Sequence, residues 1–151
     1  MLAEFVERAE GWVLGTMTRI QPTAADYRAL WEQGFMPHHE AIRSRATDSG
    51  YYGVYYGTGE EGLVDFVAGM SVDKGVEVPG GLTLRPMPAG LYAKFLCSMQ
   101  EIGPTWRRIY SEWLPASDYR EDAARPAMEY FAPEAMEPGG RVTILLPVRS
   151  K

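Results

Sequence analysis

The sequence predicts an α+β domain in which two copies of a β-α-β-β module form one antiparallel sheet, with the helices on one face. The first observation is the order of elements, because a strand, a helix and two strands follow one another twice. The second is an offset of 75 or 76 residues between similar residues of the two halves: Trp31 and Trp106, Tyr55 and Phe131, Val72 and Val148. Such an offset indicates an internal duplication. The pseudo-two-fold junction of the modules predicts a cleft for a ligand.

The first module is predicted over about residues 10–73 of a single domain that spans residues 1–151. Thr23 is expected to cap its helix, where Tyr27, Leu30 and Trp31 recur at helical spacing. Pro37 interrupts this pattern, and a shorter helical piece is predicted after it. The strands are predicted, in order, as GWVLGTMTRI, YYGVYYG and LVDFVAGMSV.

The second module is predicted over about residues 82–149, and it begins with one kinked strand. Pro104 stands where a helix starts, a position at which the missing N–H of proline costs little. The helix is expected to stop at Pro115, and a polar loop is expected over residues 116–126. The segments are, in order, LTLRPMPAGLYAKFLCSM, TWRRIYSEWL, AMEYF and RVTILLPV.

Composition excludes several classes of function. The chain has 151 residues, of which 46% are hydrophobic and 23% charged, as expected for one globular domain. A net charge of −5 argues against direct binding of nucleic acid. Acidic residues near the N-terminus and the lack of a long apolar run argue against export and a membrane span. The single Cys97 favours a reducing compartment, so we expect a cytoplasmic protein.

No familiar cofactor or metal motif occurs in the sequence. It contains no glycine-rich phosphate loop, no nucleophile elbow and no spaced set of metal ligands, so we predict neither a cofactor nor a metal. No segment remains for a helix-turn-helix, and the chain is therefore expected to act as a stand-alone domain that could have a protein partner. Exposed sheet edges could pair between chains, which leaves both a monomer and a homodimer open.

Aromatic residues and one carboxylate are the best candidates for a binding site. Glu129 lies in the middle of an apolar strand, and alternation places it on the same face as Ala127 and Phe131. If that face is open, Glu129 is an ordinary exposed carboxylate. If it lines the cleft, a ligand cation would be a suitable partner. Each aromatic residue can equally belong to the core; those that stand out are Trp31, Trp106, Tyr110 and Trp113 on the helices and Tyr55, Tyr56, Tyr92 and Phe131 on the strands.

Nearly the whole chain resembles the GyrI-like small-molecule-binding domain, which is also the effector-binding domain of AraC-type and multidrug-responsive regulators. It is most similar to the stand-alone type known from integron cassettes. The resemblance rests on the blocks YYGVYY, DFVAGMSVDKGVEVPGGLTLRPMPAGLYAKF, TWRRIYSEWLPASDY, PAMEYF and VTILLPV, in this order.

The resemblance implies tandem β-α-β-β modules with an aromatic cleft for lipophilic, often cationic compounds. It also implies a buried glutamate, which falls on Glu129. A second acidic position of the family falls on Thr143, so we expect a less negative cleft here. The ligand-binding residues predicted in this way are Glu129, Trp106, Tyr110, Tyr55, Phe131, Tyr92 and Trp31.

Three functions remain open at this point. The first is a protein that senses or sequesters a lipophilic small molecule. The second, implied by relatives that hydrolyse cyclopropane-containing toxins, is a hydrolase in which Glu129 acts with Tyr55 or Tyr110. The third is inhibition of a nucleic-acid enzyme such as gyrase through protein contact.

Overall fold

A computed structural model describes residues 1–151 and contains one antiparallel sheet of nine strands. The strands are β1 Glu4–Arg8, β2 Gly11–Ile20, β3 Tyr51–Gly57, β4 Val64–Val72, β5 Thr83–Met87, β6 Gly90–Cys97, β7 Tyr119–Glu121, β8 Ala127–Phe131 and β9 Val142–Ser150. The order across the sheet is β1-β6-β9-β8-β3-β4-β2-β5, and β7 pairs with the end of β9. None of the helices is long and apolar enough to cross a membrane.

Two helical segments connect strands within the modules. The first helical segment covers residues 27–43 and contains α1 Tyr27–Ala29, a π-helical turn Leu30–Phe35, a 3-10 turn Met36–His38 and α2 His39–Arg43. The second helical segment covers residues 99–116 and contains a 3-10 turn Met99–Glu101, α3 Ile102–Arg108, a π-helical turn Ile109–Trp113 and α4 Leu114–Ala116. The predicted α+β class and duplicated modules are confirmed.

The strand order is unchanged when the two modules are exchanged. β3 and β8 form the central pair, and outward from them β4 corresponds to β9, β2 to β6 and β5 to β1. In the central pair Gly53 lies directly opposite Glu129. These two positions are also 76 residues apart, so they are counterparts in the repeat. The pseudo-two-fold axis therefore passes between Gly53 and Glu129.

Several local expectations were wrong. Asp26, rather than Thr23, caps the first helical segment, because its carboxylate accepts a hydrogen bond from the backbone N–H of Ala29 at 3.1 Å. The second helical segment does not stop at Pro115 but continues through it to Ala116. Residues 119–121 of the expected polar loop form β7.

The strands at the two sheet edges are exchanged between the modules. β1 precedes the first module but pairs with β6 of the second, whereas β5 opens the second module but pairs with β2 of the first. The sequence analysis missed β1 and merged β5 with β6. Only two residues connect β1 to β2 and only two connect β5 to β6, so the sheet must curl until its edges approach one another.

The curl produces a core on the face that carries no helix. Val13, Val54, Val67, Tyr92 and Leu145 are almost completely buried inside it. On the other face each helical segment covers its own cluster. Phe35 and Phe66 belong to the cluster of the first module, and Ile109 and Ile144 belong to that of the second. The β3–β8 junction lies between the two clusters.

Gly15 and Gly69 face one another across β2 and β4 and allow a close approach of the two backbones. A Cβ atom on Gly15 would overlap the carbonyl group of Ala68. We expect Gly15→Ala to lower the free energy of unfolding by roughly 2 kcal/mol or more, as measured by urea denaturation.

Gly57→Ala is the matched control for that change, because no atom lies within 4 Å of the position that its Cβ would take. We expect the control to stay within about 0.5 kcal/mol of wild type. Equal stability of Gly15→Ala and Gly57→Ala would contradict the proposed close approach.

Candidate functional site

Glu129 on β8 is the one buried charged residue of the protein, with 4% of its surface exposed. Its Oε2 atom accepts two hydrogen bonds, from the hydroxyl of Tyr55 at 2.9 Å and from Nε1 of Trp106 at 2.7 Å. Tyr55 belongs to β3 of the first module, and Trp106 belongs to α3 of the second. Both donors are neutral, and no arginine or lysine forms an ion pair with Glu129. The charge is therefore hydrogen-bonded but not neutralised.

Burial dominates the electrostatics of this group. It raises the pKa of Glu129 above the usual value of a glutamate, and the hydrogen bonds from Trp106 and Tyr55 offset the rise only in part. Burial, together with the nearby charge of Glu129, also raises the pKa of Tyr55 well above its ordinary value. Tyr55 therefore keeps its proton and acts as a hydrogen-bond donor.

The second helical segment places aromatic rings on one side of Glu129. The ring of Trp106 stacks on that of Tyr110, with centroids 5.9 Å apart and planes inclined by 17°. Tyr110 is 44% exposed, and its hydroxyl donates to Glu121 at 3.1 Å. Burial raises the pKa of Glu121. Tyr110 thus fixes the Trp106 stack but turns its hydroxyl away from Glu129.

The first module supplies the rings on the other side. The centroid of Tyr55 lies 5.0 Å from that of Phe66 and 6.3 Å from that of Tyr27. Phe66 also lies 6.4 Å from Trp31, which in turn is 5.6 Å from Phe131. Aromatic rings from both modules therefore surround the carboxylate.

The structure brings six of the seven predicted binding residues together and separates one. Those that meet around the axis are Glu129, Trp106, Tyr110, Tyr55, Phe131 and Trp31. Tyr92 is fully buried in the core inside the curl, where its hydroxyl donates to the carbonyl of Pro88 at 3.0 Å. It therefore lies on the face opposite Glu129.

Thr143 also lies on that opposite face. It pairs with Tyr130, whereas Glu129 pairs with Ile144, and paired residues share a face of the sheet. The expectation that Thr143 makes the cleft less negative was wrong, because an acidic residue at this position would not face Glu129.

Sequence reasoning missed three residues of the site. Tyr27 was used only to place the first helix, and Phe66 was not singled out, although Phe66 is the strand partner of Tyr55. Gly53 was missed as well, although the 76-residue offset that relates the modules makes it the counterpart of Glu129. The repeat could have identified Gly53.

Two other features lie apart from this site. A surface cavity of about 340 Å³ opens on the helix-free face, between Arg8, Tyr52, Met87 and Met128. It contains none of the predicted binding residues. No cluster of three or more histidine, cysteine or acidic side chains is arranged to hold a metal ion.

A family model, the GyrI-like small molecule binding domain, matches residues 3–149. The chain belongs to this family. The family is one of small-molecule-binding domains, so this GyrI-like chain is such a domain. The resemblance drawn from the motifs is confirmed. A search of curated protein sequences found no match.

Solved structures share the GyrI-like fold at low sequence identity. SAV2435 bound to tetraphenylphosphonium is 11% identical, with a TM-score of 0.73 over 99% of this chain and 94% of that chain. The C-terminal domain of EcmrR is 15% identical, with a TM-score of 0.69 over 99% and 98%. An integron cassette protein from the mobile metagenome of Vibrio cholerae is 18% identical, with a TM-score of 0.59 over 97% and 95%.

The raised pKa of Glu129 predicts how stability changes with pH. The folded state holds this proton more tightly than the unfolded chain, whose glutamates titrate near about 4.3. The stabilisation is thus fully present below that value and is lost as the pH rises through the folded-state pKa. We expect the Tm of Glu129→Gln minus that of wild type to increase from about pH 4 to about pH 8.

Thermal unfolding followed by circular dichroism at constant ionic strength measures this difference. Other carboxylates, such as Asp65 and Asp122, whose pKa values are lowered by neighbouring arginines, are common to both proteins and cancel. A difference in Tm that stays constant or falls with pH would show that burial does not raise the pKa of Glu129.

Proposed function

We propose that this GyrI-like domain is a cytoplasmic protein that senses or sequesters lipophilic aromatic cations, which it binds at Glu129 between the two helical segments. The observation that carries the proposal is a carboxylate with 4% exposure, held by two neutral donors and surrounded by aromatic rings. The free, buried thiol of Cys97 is consistent with a reducing compartment.

The energetics of the carboxylate favour a cation over a neutral ligand. Two neutral hydrogen bonds satisfy part of the hydrogen-bonding capacity of Glu129, but they leave a net charge in an apolar region. A ligand cation would supply the missing counter-charge, and the faces of Trp106 and Tyr110 would attract it further. Burial without a counter-charge raises the pKa of Glu129, and a bound cation would oppose that rise.

The same geometry connects binding to a change in the second helical segment. Trp106 donates a hydrogen bond to Oε2 of Glu129 and stacks on Tyr110. A bulky ligand at the carboxylate must therefore displace these rings or stack on them. Both rings lie at the boundary of α3 and a π-helical turn, a type of helix irregularity that is frequent at functional sites. A shift of this segment would report that the ligand is bound.

The structural neighbours support the choice of ligand. SAV2435 was solved with tetraphenylphosphonium, a lipophilic aromatic cation. The likeness to that protein concerns the fold, and the argument for this chain rests on Glu129 and its aromatic neighbours.

Isothermal titration calorimetry with two matched probes tests the proposal. We expect 1-naphthylmethylammonium to bind at about pH 7.5 more tightly than neutral 1-naphthylmethanol. Glu129→Gln is expected to lower the affinity for the ammonium probe about tenfold or more, because it removes the counter-charge and keeps the shape. Binding of the cation should also weaken at low pH, where Glu129 takes up a proton.

Glu61→Gln serves as the control, because Glu61 is an exposed carboxylate in a turn and removing it makes the same change in net charge. We expect its affinity to equal that of wild type. Equal binding of the cation and the alcohol, or full affinity in Glu129→Gln, would overturn the proposed function.

A second candidate function is hydrolysis of a reactive, electrophilic small molecule. The observation that favours it is the contact of 2.9 Å between the hydroxyl of Tyr55 and Glu129, a carboxylate whose pKa burial raises. Glu129 would activate a water molecule, and the protonated Tyr55 would donate to the leaving group. Tyr110 is less suitable, because its hydroxyl is bonded to Glu121.

A turnover assay with cyclopropane-containing electrophiles, followed by mass spectrometry of the hydrolysed product, tests this candidate. We expect Glu129→Gln to lower the rate about 100-fold or more and Tyr55→Phe to lower it about tenfold or more. Tyr110→Phe is expected to retain most of the activity. An unchanged rate in Glu129→Gln would exclude the carboxylate from the reaction.

A further inference from the structure

The two oxygen atoms of Glu129 have different surroundings. Oε2 accepts hydrogen bonds from both Tyr55 and Trp106. Oε1 accepts no hydrogen bond. Nη1 of Arg125 is the one completely buried side-chain nitrogen or oxygen that has no partner. Oε1 also has no partner, so it is not completely buried. The protein therefore binds the carboxylate through Oε2 and leaves Oε1 without a hydrogen-bond donor.

Gly53 provides the space in which Oε1 lies. A Cβ atom on Gly53 would be 3.3 Å from Oε1 and 3.0 Å from Cε1 of Phe66. The φ angle of Gly53 is not positive, so the backbone there does not itself require glycine. The position requires a small residue because the carboxylate and the Phe66 ring both pack over it.

Glu129 is the one carboxylate at the pseudo-two-fold axis. Gly53 is the counterpart of Glu129 in the repeat and carries no side chain, and Thr143 lies on the opposite face of the sheet. The pseudo-two-fold symmetry therefore does not place a second carboxylate at the axis. A ligand with one positive charge matches this arrangement better than a dication, whose second charge would be buried without a partner.

We propose that the ligand is a monocation that keeps an N–H group, and that Oε1 of Glu129, lying over Gly53, accepts a hydrogen bond from it. This inference rests on the proposed cation-binding function and specifies the class of cation. A largely buried carboxylate oxygen without a donor gains most from a charged N–H group, since such hydrogen bonds are about twice as strong as neutral ones. A quaternary ammonium or phosphonium ion cannot make this bond.

Calorimetry with three probes tests the inference on the full chain. The probes are 1-naphthylmethylammonium, its N,N,N-trimethyl derivative and 1-naphthylmethanol. We expect the affinity for the ammonium probe to be at least about tenfold higher than that for the trimethyl probe. Gly53→Ala, which displaces Oε1 or the Phe66 ring, should weaken binding of the ammonium probe and abolish this preference. Gly57→Ala on the same strand should behave like wild type, because its Cβ would meet no atom.

The outcomes separate the inference from the function on which it rests. If both cations bind with equal affinity and more tightly than the alcohol, the inference is wrong and cation binding stands. If no cation binds more tightly than the alcohol, both are wrong. The comparison of the two cations on wild type decides the question even if Gly53→Ala fails to fold.

Discussion

At the β3–β8 strand pair, the hydrogen bonds at Oε2 of Glu129 add a polar side-chain contact between the two modules. One donor, Tyr55, comes from a strand of the first module, and the other, Trp106, comes from a helix of the second. On this face each module packs its own apolar cluster under its own helical segment, and the rings of Trp31 and Phe131 meet between the two clusters. The polar contact at the pseudo-two-fold axis is therefore where a change in one helical segment can reach the other module.

The buried charge opposes stability, and the rest of the fold tolerates it. Three apolar clusters, one inside the curl and one under each helical segment, bury most of the large hydrophobic side chains. Against this background a carboxylate with a raised pKa is a local cost that the protein retains. Retaining such a cost at the junction of the modules is typical of a binding site.

The sequence predicted the duplication and the antiparallel sheet, because each depends on local pattern or on a fixed offset, whereas the burial of Glu129 was implied only by the family resemblance. It did not predict that β1 and β5 exchange modules, because pairing between distant segments leaves no local signal. It also misplaced Tyr92 and Thr143. Alternation tells which residues of a strand share a face. β6 and β9 nevertheless have large apolar residues on both faces, such as Leu145 and Leu146, so the sequence did not show which face lies under the helices.

The exchange of β1 and β5 has a consequence for the origin of the domain. A polypeptide carrying a single module would lack a strand at its own edge and would present its first strand to a neighbour. Two such polypeptides would complete one another by reciprocal strand donation, as in domain-swapped dimers. The topology is the one that such an intertwined homodimer would have if its two chains were joined into one. In a single chain the two repeat positions at the axis can differ, and here glutamate occupies one and glycine the other.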